Sequence, residues 1–138
     1  MSAVKDLYTG EIISWVVSKT NDNPLVMKTI KAAIEANPGV TPILHSDRGF
    51  QYTSKEYVRE VSKARITRSM SRVGRCIDNA PMESFWSHFK DEYYYDCTFI
   101  TYEELVTGIA DYINYYNNER YQWNLKNLTP VEYRNQAA

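Results

Sequence analysis

Two acidic residues occupy positions at which carboxylates commonly bind metal ions. Asp47 lies just past the short apolar segment "VTPILH", and thirty-five residues separate it from Glu83. Carboxylate oxygens suit Mg²⁺, which usually keeps water and substrate phosphate as its other ligands. Two such ions about 4 Å apart activate an attacking oxygen and stabilise a leaving oxygen in phosphodiester chemistry. The two residues therefore predict a Mg²⁺ (or Mn²⁺) site, which needs a third carboxylate, normally from another strand.

The segments around Asp47 predict strands that alternate with helices. Residues 3–7 and 11–18 are β-rich and flank a tight turn, so they predict a hairpin. A helix follows, capped by Asn23, and then "VTPILH" predicts a strand buried on both faces of a parallel sheet. Asp47 lies just past the end of this strand, where sites collect in open α/β sheets.

The second half of the chain predicts mainly helices. A helix from about Thr53 has Thr53 and Glu56 as a possible capping box, "RITRSMS" predicts a strand, and "RVGRCIDNAP" predicts a loop. Further helices follow from about residue 82 and over 102–120, and a short helical turn starts at Thr129. The first of these helices has an apolar stripe at i, i+3, i+4 and i+7, formed by Met82, Phe85, Trp86 and Phe89. Glu83 and Lys90 share a different face of it.

Length and composition describe one globular domain. The chain has 138 residues, of which 43% are hydrophobic, and this length can bury a sizeable core. No signal peptide and no apolar run of membrane-spanning length is present, which predicts a cytoplasmic protein. The two cysteines, Cys76 and Cys97, lack zinc-site spacing.

Charge is segregated along the chain although the net charge is only −1. Residues 59–75 contain six basic side chains and one acidic side chain, whereas residues 91–119 contain seven acidic side chains and no lysine or arginine. Two interpretations remain open: two solvated faces, or a phosphate-facing basic segment beside an acidic helical tail. In the second interpretation Arg68, Arg72 and Arg75 contact DNA, while Arg48 either contacts phosphate or balances Asp47.

Three segments of the chain resemble a known family. The segments "HSDRGFQYTS", "SMSRVGRCIDNAPMESFWSHFKDE" and "YINYYNNERYQWNLKNLTPVEYR" occur in order and at the expected spacing. They resemble the C-terminal part of bacterial insertion-sequence transposases with a DDE-type, retroviral-integrase-like catalytic core. The resemblance implies an α/β fold of the RNase H-like class and Mg²⁺-dependent cleavage of transposon ends. It also implies joining of the 3′ hydroxyl to DNA by transesterification.

The resemblance assigns roles to individual residues. Asp47 matches the second aspartate of the family and Glu83 matches its glutamate, so both are expected to be catalytic and to bind the metal. Lys90 matches a basic position expected to contact DNA near the scissile phosphate. His45 is a possible further ligand, although a packing role at the strand end is the preferred interpretation. The implied partners are DNA and further copies of the chain, in the bacterial cytoplasm and at the nucleoid when DNA is bound.

The chain also departs from the family pattern at its start. No residue matches the family's first aspartate, which lies in a preceding strand, so the chain is expected to be an N-terminally truncated core. Asp6 is a possible substitute, but a turn acid that binds local backbone is the preferred interpretation. The missing strand would be central in the RNase H-like order. We therefore expect either dimerisation or direct pairing of the hairpin with the strand before Asp47.

Residues 1–100 are predicted to form the RNase H-like part and residues 101–138 a helical extension. Three functions remain open. The chain is a transposase core fragment that is catalytically incomplete, or it is a noncatalytic remnant that binds DNA or transposase and inhibits transposition. The third possibility is a general RNase H-like nuclease that hydrolyses DNA without joining it.

Overall fold

Strands and helices alternate in the first half of the chain, and helices dominate the second half. The computed structural model describes residues 1–72 and 79–137. In this part of the chain the elements are β1 (Ser2–Lys5), β2 (Ile12–Val16), α1 (Asn23–Ala36), β3 (Ile43–Ser46), α2 (Phe50–Thr53), α3 (Lys55–Lys63), β4 (Thr67–Met70), α4 (Ala80–Phe89), α5 (Tyr102–Asn118) and α6 (Pro130–Ala137). A π-helical turn, Lys90–Tyr94, continues α4, and a 3₁₀ turn, Trp123–Leu125, precedes α6. The predicted loop of residues 72–81 lies mostly outside the described residues.

The four strands form two separate sheets of two strands each. β1 pairs with β2, as the predicted hairpin requires, and β3 pairs in parallel with β4, with Ile43 opposite Thr67 and Ser46 opposite Met70. The expected pairing of the hairpin with β3 is absent among the described residues. The prediction that β3 is buried on both faces is wrong at Ile43, whose side chain is 72% exposed.

The hairpin turn is organised by Asp6. Its Oδ1 accepts hydrogen bonds from the backbone N–H groups of Tyr8 (2.7 Å) and Thr9 (3.3 Å). Gly10 has a φ of +78°, a conformation that side chains with a Cβ adopt rarely, and its N–H donates to the Asp6 carbonyl. Asp6 therefore has the turn role that the sequence favoured over a catalytic one.

Two helix starts differ from the sequence prediction by one or two residues. α1 is capped by Asp22, whose Oδ1 accepts from the Leu25 N–H, so Asn23 is its first residue rather than its cap. α3 is capped by Ser54, whose hydroxyl accepts from the Tyr57 N–H, and Thr53 instead ends the short helix α2. Both shifts arise because two adjacent residues have side chains that can cap a helix.

The chain divides into two compact units, and each has its own core. The first comprises Met1–Val4 and Ile13–Ala80, and the second comprises Lys5–Ile12 and Pro81–Ala138. The predicted boundary after residue 100 falls inside the second unit, and it stays a prediction about domain organisation. None of the described helices is both long and apolar enough to cross a lipid bilayer.

The core of the first unit lies between α1 and α3. Its buried side chains are Val26, Met27, Ile30, Tyr57 and Val61. Val4 of β1, Leu44 of β3 and Ile66, just before β4, pack against them. The strands thus pack one side against α1 and α3. This packing positions the end of β3, which Asp47 follows.

The core of the second unit is rich in aromatic rings from α4 and α5. Its fully buried or nearly buried members are Phe85, Phe89, Ile109, Tyr112, Ile113, Tyr116 and Leu125. The Phe85 and Tyr116 rings meet edge to face with centroids 5.0 Å apart, and the Phe89 and Tyr112 rings meet at 5.3 Å. These contacts confirm Phe85 and Phe89 of the predicted stripe as core and hold α4 against α5, whereas Met82 and Trp86 are only partly buried.

The end of α3 has an unusual residue in a well-formed helix cap. Arg65 has a φ of +57°. The Arg65 N–H donates to the Ser62 carbonyl and the Ile66 N–H donates to the Val61 carbonyl, which is the Schellman pattern that normally carries glycine at this position. A left-handed conformation costs a residue with a Cβ about 1 kcal/mol or more.

We predict that Arg65→Gly raises the free energy of unfolding by about 0.5 kcal/mol, since the relieved backbone strain exceeds the entropy that glycine adds to the unfolded chain. Arg59→Gly, in the same helix, is the control and should lower it by about 1 kcal/mol. Urea unfolding followed by circular dichroism measures both. A loss of stability in Arg65→Gly would contradict the assigned cap.

Candidate metal and nucleic-acid site

Asp47 lies immediately after β3, and its side chain is exposed. Its Oδ1 accepts a hydrogen bond from the Gly49 N–H at 2.7 Å, which orients the carboxylate. A Cβ at position 49 would lie 2.9 Å from Gln51 Oε1 and 3.0 Å from Asp47 Oδ1. A side chain at position 49 would therefore require the ends of the Gln51 and Asp47 side chains to shift.

His45 and Arg48 connect the end of β3 to the end of β4. The two ring nitrogens of His45 hydrogen bond with the hydroxyls of Ser69 (3.0 Å) and Ser71 (3.1 Å). Arg48 Nε donates to the Ser71 carbonyl at 2.9 Å. Both His45 nitrogens are thus engaged, which favours the packing role over metal ligation. Arg48 has a backbone partner that the sequence did not predict, and its contact with DNA stays a prediction.

The neighbourhood of Asp47 carries negative charge that reaches a tyrosine. Burial raises the pKa of Tyr52, and the nearby Asp47 carboxylate raises it further. Both effects disfavour a second negative charge at this point.

Glu83 and Lys90 lie on α4 and at its end. Glu83 is in the first turn of α4, and Lys90 is the first residue of the π-helical turn that follows; both are exposed. Seven residues make almost two full turns of an α-helix, so the two side chains leave the same face. The predicted pairing of a carboxylate and a cation on one helical face is therefore present within the second unit.

The start of α4 is held by Lys5. Its Nζ donates to the Pro81 carbonyl (3.4 Å) and to the Tyr116 hydroxyl (3.1 Å), and it lies 5.6 Å from the centroid of the Tyr116 ring. Pro81 precedes Glu83 by two residues. Lys5 thus fixes the helical turn from which Glu83 projects.

The end of α4 is held by Arg120. Its Nε donates to both oxygens of Glu92, at 3.0 and 2.8 Å, and its Nη2 donates to His88 Nδ1 at 3.2 Å. Tyr112 donates its hydroxyl to Glu92 Oε2 at 2.9 Å. The Arg120 guanidinium also lies 5.6 Å from the Tyr116 ring centroid, so cations at both ends of α4 contact one aromatic ring.

These contacts shift the pKa values of the groups involved. The hydrogen bonds from Arg120 hold the pKa of Glu92 below its usual value of 4.5, and burial opposes them only in part. Burial and donation to Glu92 raise the pKa of Tyr112. The network is therefore charged at neutral pH, and the π-helical turn, closed by the Tyr95 N–H on the Lys90 carbonyl, lies within it.

The structure distributes the proposed site residues over both units. Asp47, Arg48, Arg68 and Arg72 belong to the first unit and Glu83 and Lys90 to the second. The first four are exposed, with Arg68 opposite Leu44 in the β3–β4 register. Arg75 lies outside the described residues.

Carboxylate oxygens are the right donors for a hard divalent cation, and the exposed Asp47 and Glu83 fit that role. Within residues 1–72 and 79–137, however, no three His, Cys, Asp or Glu side chains are grouped closely enough to hold a metal ion. Mg²⁺ is usually bound by one or two carboxylates together with water and phosphate. Each of the two residues therefore has the chemistry of a Mg²⁺ ligand, and their joint role in one site stays a prediction.

Sequence patterns missed the residues that hold α4. Glu92 and Arg120 are twenty-eight positions apart, and no periodicity relates them. The only available signal was that the acidic stretch of residues 91–119 ends directly before a cation, Arg120.

Family models match the two regions of the chain that contain these residues. One family model, described as "Integrase core domain", matches residues 1–76, and a second with the same description matches residues 83–137. The chain is 42% identical over 137 residues to an "Uncharacterized transposase-like protein" of Haemophilus influenzae. It is 34% identical over 130 residues to the "Transposase for insertion sequence element IS904" of Lactococcus lactis. These matches cover 99% and 93% of this chain but 63% and 51% of the relatives.

A solved structure shares the fold. The catalytic core domain of HTLV-2 integrase, in complex with magnesium and in a trimeric form, matches 93% of this chain and 79% of its own, with a TM-score of 0.71 and 18% identity. This likeness confirms the predicted α/β fold of the integrase catalytic core, which is RNase H-like.

We predict that Glu92→Gln flattens the dependence of stability on pH. Because the pKa of Glu92 is lowered in the folded chain, its contribution is full above about pH 4.5 and is lost as the pH falls through the lowered pKa. The melting temperature of the unmodified chain should therefore fall more between about pH 5 and pH 3 than that of the variant. Glu103→Gln removes an exposed carboxylate from α5 and should leave the fall unchanged. An equally steep fall in Glu92→Gln would show that the pair does not stabilise the fold.

Proposed function

Because the chain belongs to the integrase core domain family, we propose that it is part of the catalytic core of a bacterial insertion-sequence transposase. The proposed reaction is DNA transposition: cleavage at the transposon ends and joining of the 3′ hydroxyl to DNA by Mg²⁺-dependent transesterification. The observation that carries the proposal is the exposed Asp47 carboxylate, oriented by the Gly49 N–H at the C-terminal end of a parallel strand pair. Sites in α/β sheets collect at this end of the strands.

Asp47 and Glu83 are the proposed ligands of Mg²⁺. When bound, the metal would activate the attacking oxygen and stabilise the leaving oxygen of the phosphodiester. The protein's own contribution is to orient these two carboxylates. Gly49 orients Asp47, and Lys5 and Arg120 fix the two ends of the helix that carries Glu83.

Basic side chains are the proposed contacts with the DNA backbone. Arg48, Arg68 and Arg72 in the first unit and Lys90 in the second are exposed, and Arg75 joins this set by sequence alone. Each phosphate that they neutralise releases counterions, so affinity should fall steeply with salt. The proposed location is the bacterial cytoplasm, with association to the nucleoid through DNA.

We predict that Asp47→Asn reduces Mg²⁺-dependent product formation about a hundredfold or more, since a metal ligand is lost. The assay incubates the chain with labelled duplex carrying insertion-sequence ends and a supercoiled target, and it resolves cleaved from joined strands. Glu35→Gln, an exposed carboxylate of the same unit, is the matched control. Titration calorimetry with Mg²⁺ gives a second readout: binding should weaken in Asp47→Asn and in Glu83→Gln but not in Glu35→Gln.

The other outcomes separate the competing functions. Cleavage without joining would indicate a nuclease. DNA binding without any Mg²⁺-dependent product would indicate a noncatalytic DNA-binding protein and would contradict catalysis by this chain. Unchanged activity in Asp47→Asn would contradict the assignment of Asp47.

The open edge of β3 is a further element of the proposal, as a contact between two copies of the chain. Among the described residues β3 has one neighbour, β4, so its other edge has no strand partner there. Ile43, the first residue of β3, is 72% exposed, and Val40 shortly before it is 57% exposed. An exposed apolar strand edge pairs readily with another chain.

We therefore predict concentration-dependent self-association that Ile43→Lys weakens about tenfold, since an edge lysine disfavours strand pairing. Leu7→Lys, at the hairpin turn and 62% exposed, is the control and should associate like the unmodified chain. Sedimentation equilibrium measures both dissociation constants. A chain that stays monomeric at all concentrations would contradict pairing at this edge.

A further inference from the structure

The segment between α5 and α6 presents two aromatic side chains to solvent. Trp123 is 88% exposed and Tyr121 is 69% exposed. A tryptophan normally buries most of its large apolar surface in a folded protein, so exposure on this scale calls for an explanation.

The segment is ordered rather than loose. Gln122 and Leu128 form an isolated β-bridge, with the Gln122 N–H donating to the Leu128 carbonyl at 3.0 Å. Within the bridge the Leu125 N–H donates to the Gln122 carbonyl (3.0 Å) and the Lys126 N–H to the Trp123 carbonyl (3.2 Å). Leu125 is buried, and it anchors the segment next to Gly10, where an added Cβ would lie 3.4 Å from Leu125 Cδ1.

The backbone of the segment carries strain as well. Lys126 and Asn127 both have a φ of +59°, although neither is glycine. Residues with a Cβ adopt the left-handed region less readily than glycine, and such conformations persist only where the surroundings enforce them. The backbone that follows Trp123 therefore has a defined conformation.

The residues around the two rings have the chemistry of a nucleic-acid contact. From Tyr121 to Val131 there is one basic side chain, Lys126, and no acidic one. Asn124, Lys126 and Asn127 are exposed, and such side chains donate to phosphate oxygens. A docking site for another protein would instead place the tryptophan within a wider apolar patch, and here the residues next to it in the chain are polar.

We propose that Trp123, with Tyr121, stacks on an unpaired base of DNA while Lys126 contacts the adjacent phosphate. An aromatic ring stacks on a base only when that base is unstacked, as in a single strand or at an opened end. The inference rests on the proposed function, because an enzyme that cuts and joins DNA ends meets such bases. It adds a contact on the α5–α6 segment that no resemblance assigns.

The test uses fluorescence anisotropy of the 138-residue chain with a labelled single strand of about fifteen thymidines and with a duplex of the same length. Trp123→Ala should weaken binding of the single strand about tenfold and change duplex binding less than about twofold, since loss of one stacked base has this magnitude. Trp123→Phe should recover most of the affinity. Lys126→Ala should reduce the slope of log affinity against log salt by about one.

Tyr95→Ala is the matched control, because Tyr95 is 68% exposed in the same unit, and its affinity should stay within about twofold of the unmodified chain. Normal binding of the single strand by Trp123→Ala would overturn this inference and leave the proposed function intact. Loss of self-association in Trp123→Ala with unchanged DNA affinity would also overturn it, in favour of a protein contact. If the unmodified chain binds neither DNA, the proposed function fails together with the inference.

Discussion

The position of the end of α4 in the second unit depends on the hydrogen bonds between Arg120 and Glu92. Arg120 comes just after α5 and Glu92 lies in the π-helical turn after α4, so one guanidinium joins the ends of both helices. The pairing uses both carboxylate oxygens, which fixes orientation as well as distance. Tyr112 donates to the same carboxylate from within α5, so no oxygen of the partly buried group lacks a donor. The face of α4 that presents Glu83 and Lys90 is therefore set by contacts on another helix.

This network changes the interpretation of the acidic stretch. Seven carboxylates over residues 91–119 suggested a solvated helical surface. Glu92 instead binds Arg120, and Glu104 completes a capping box with Thr101 at the start of α5. The basic stretch is also partly structural, since Lys63 pairs with Glu60 at 3.1 Å and Arg65 ends α3. Charge counts along a sequence identified the two stretches, but they could not separate structural side chains from those available to a ligand.

The sequence predicted the helices and strands better than the contacts and exposure of their residues. α5 was predicted over 102–120 and spans Tyr102–Asn118, because its apolar residues repeat with helical spacing over several turns. The caps of α1 and α3 were misplaced, since Asp22 and Asn23, and likewise Thr53 and Ser54, are equally suitable by residue type. The exposure of Ile43 could not be predicted, because burial of a strand depends on which elements pack on its faces. The π-helical turn was also missed, since periodicity does not distinguish it from a continued α-helix.

The motif "HSDRG" shows why its predicted ligand was easier to find than the residues that position it. Asp47 stood out by its type and its place at a strand end, whereas the roles of its neighbours depend on contacts far along the chain. His45 binds Ser69 and Ser71, and Arg48 binds the Ser71 carbonyl, so both tie β3 to β4. Gly49 leaves room for the carboxylate that its own N–H orients. Gly49 thus orients the Asp47 carboxylate directly, whereas His45 and Arg48 hold together the strand pair whose end precedes Asp47.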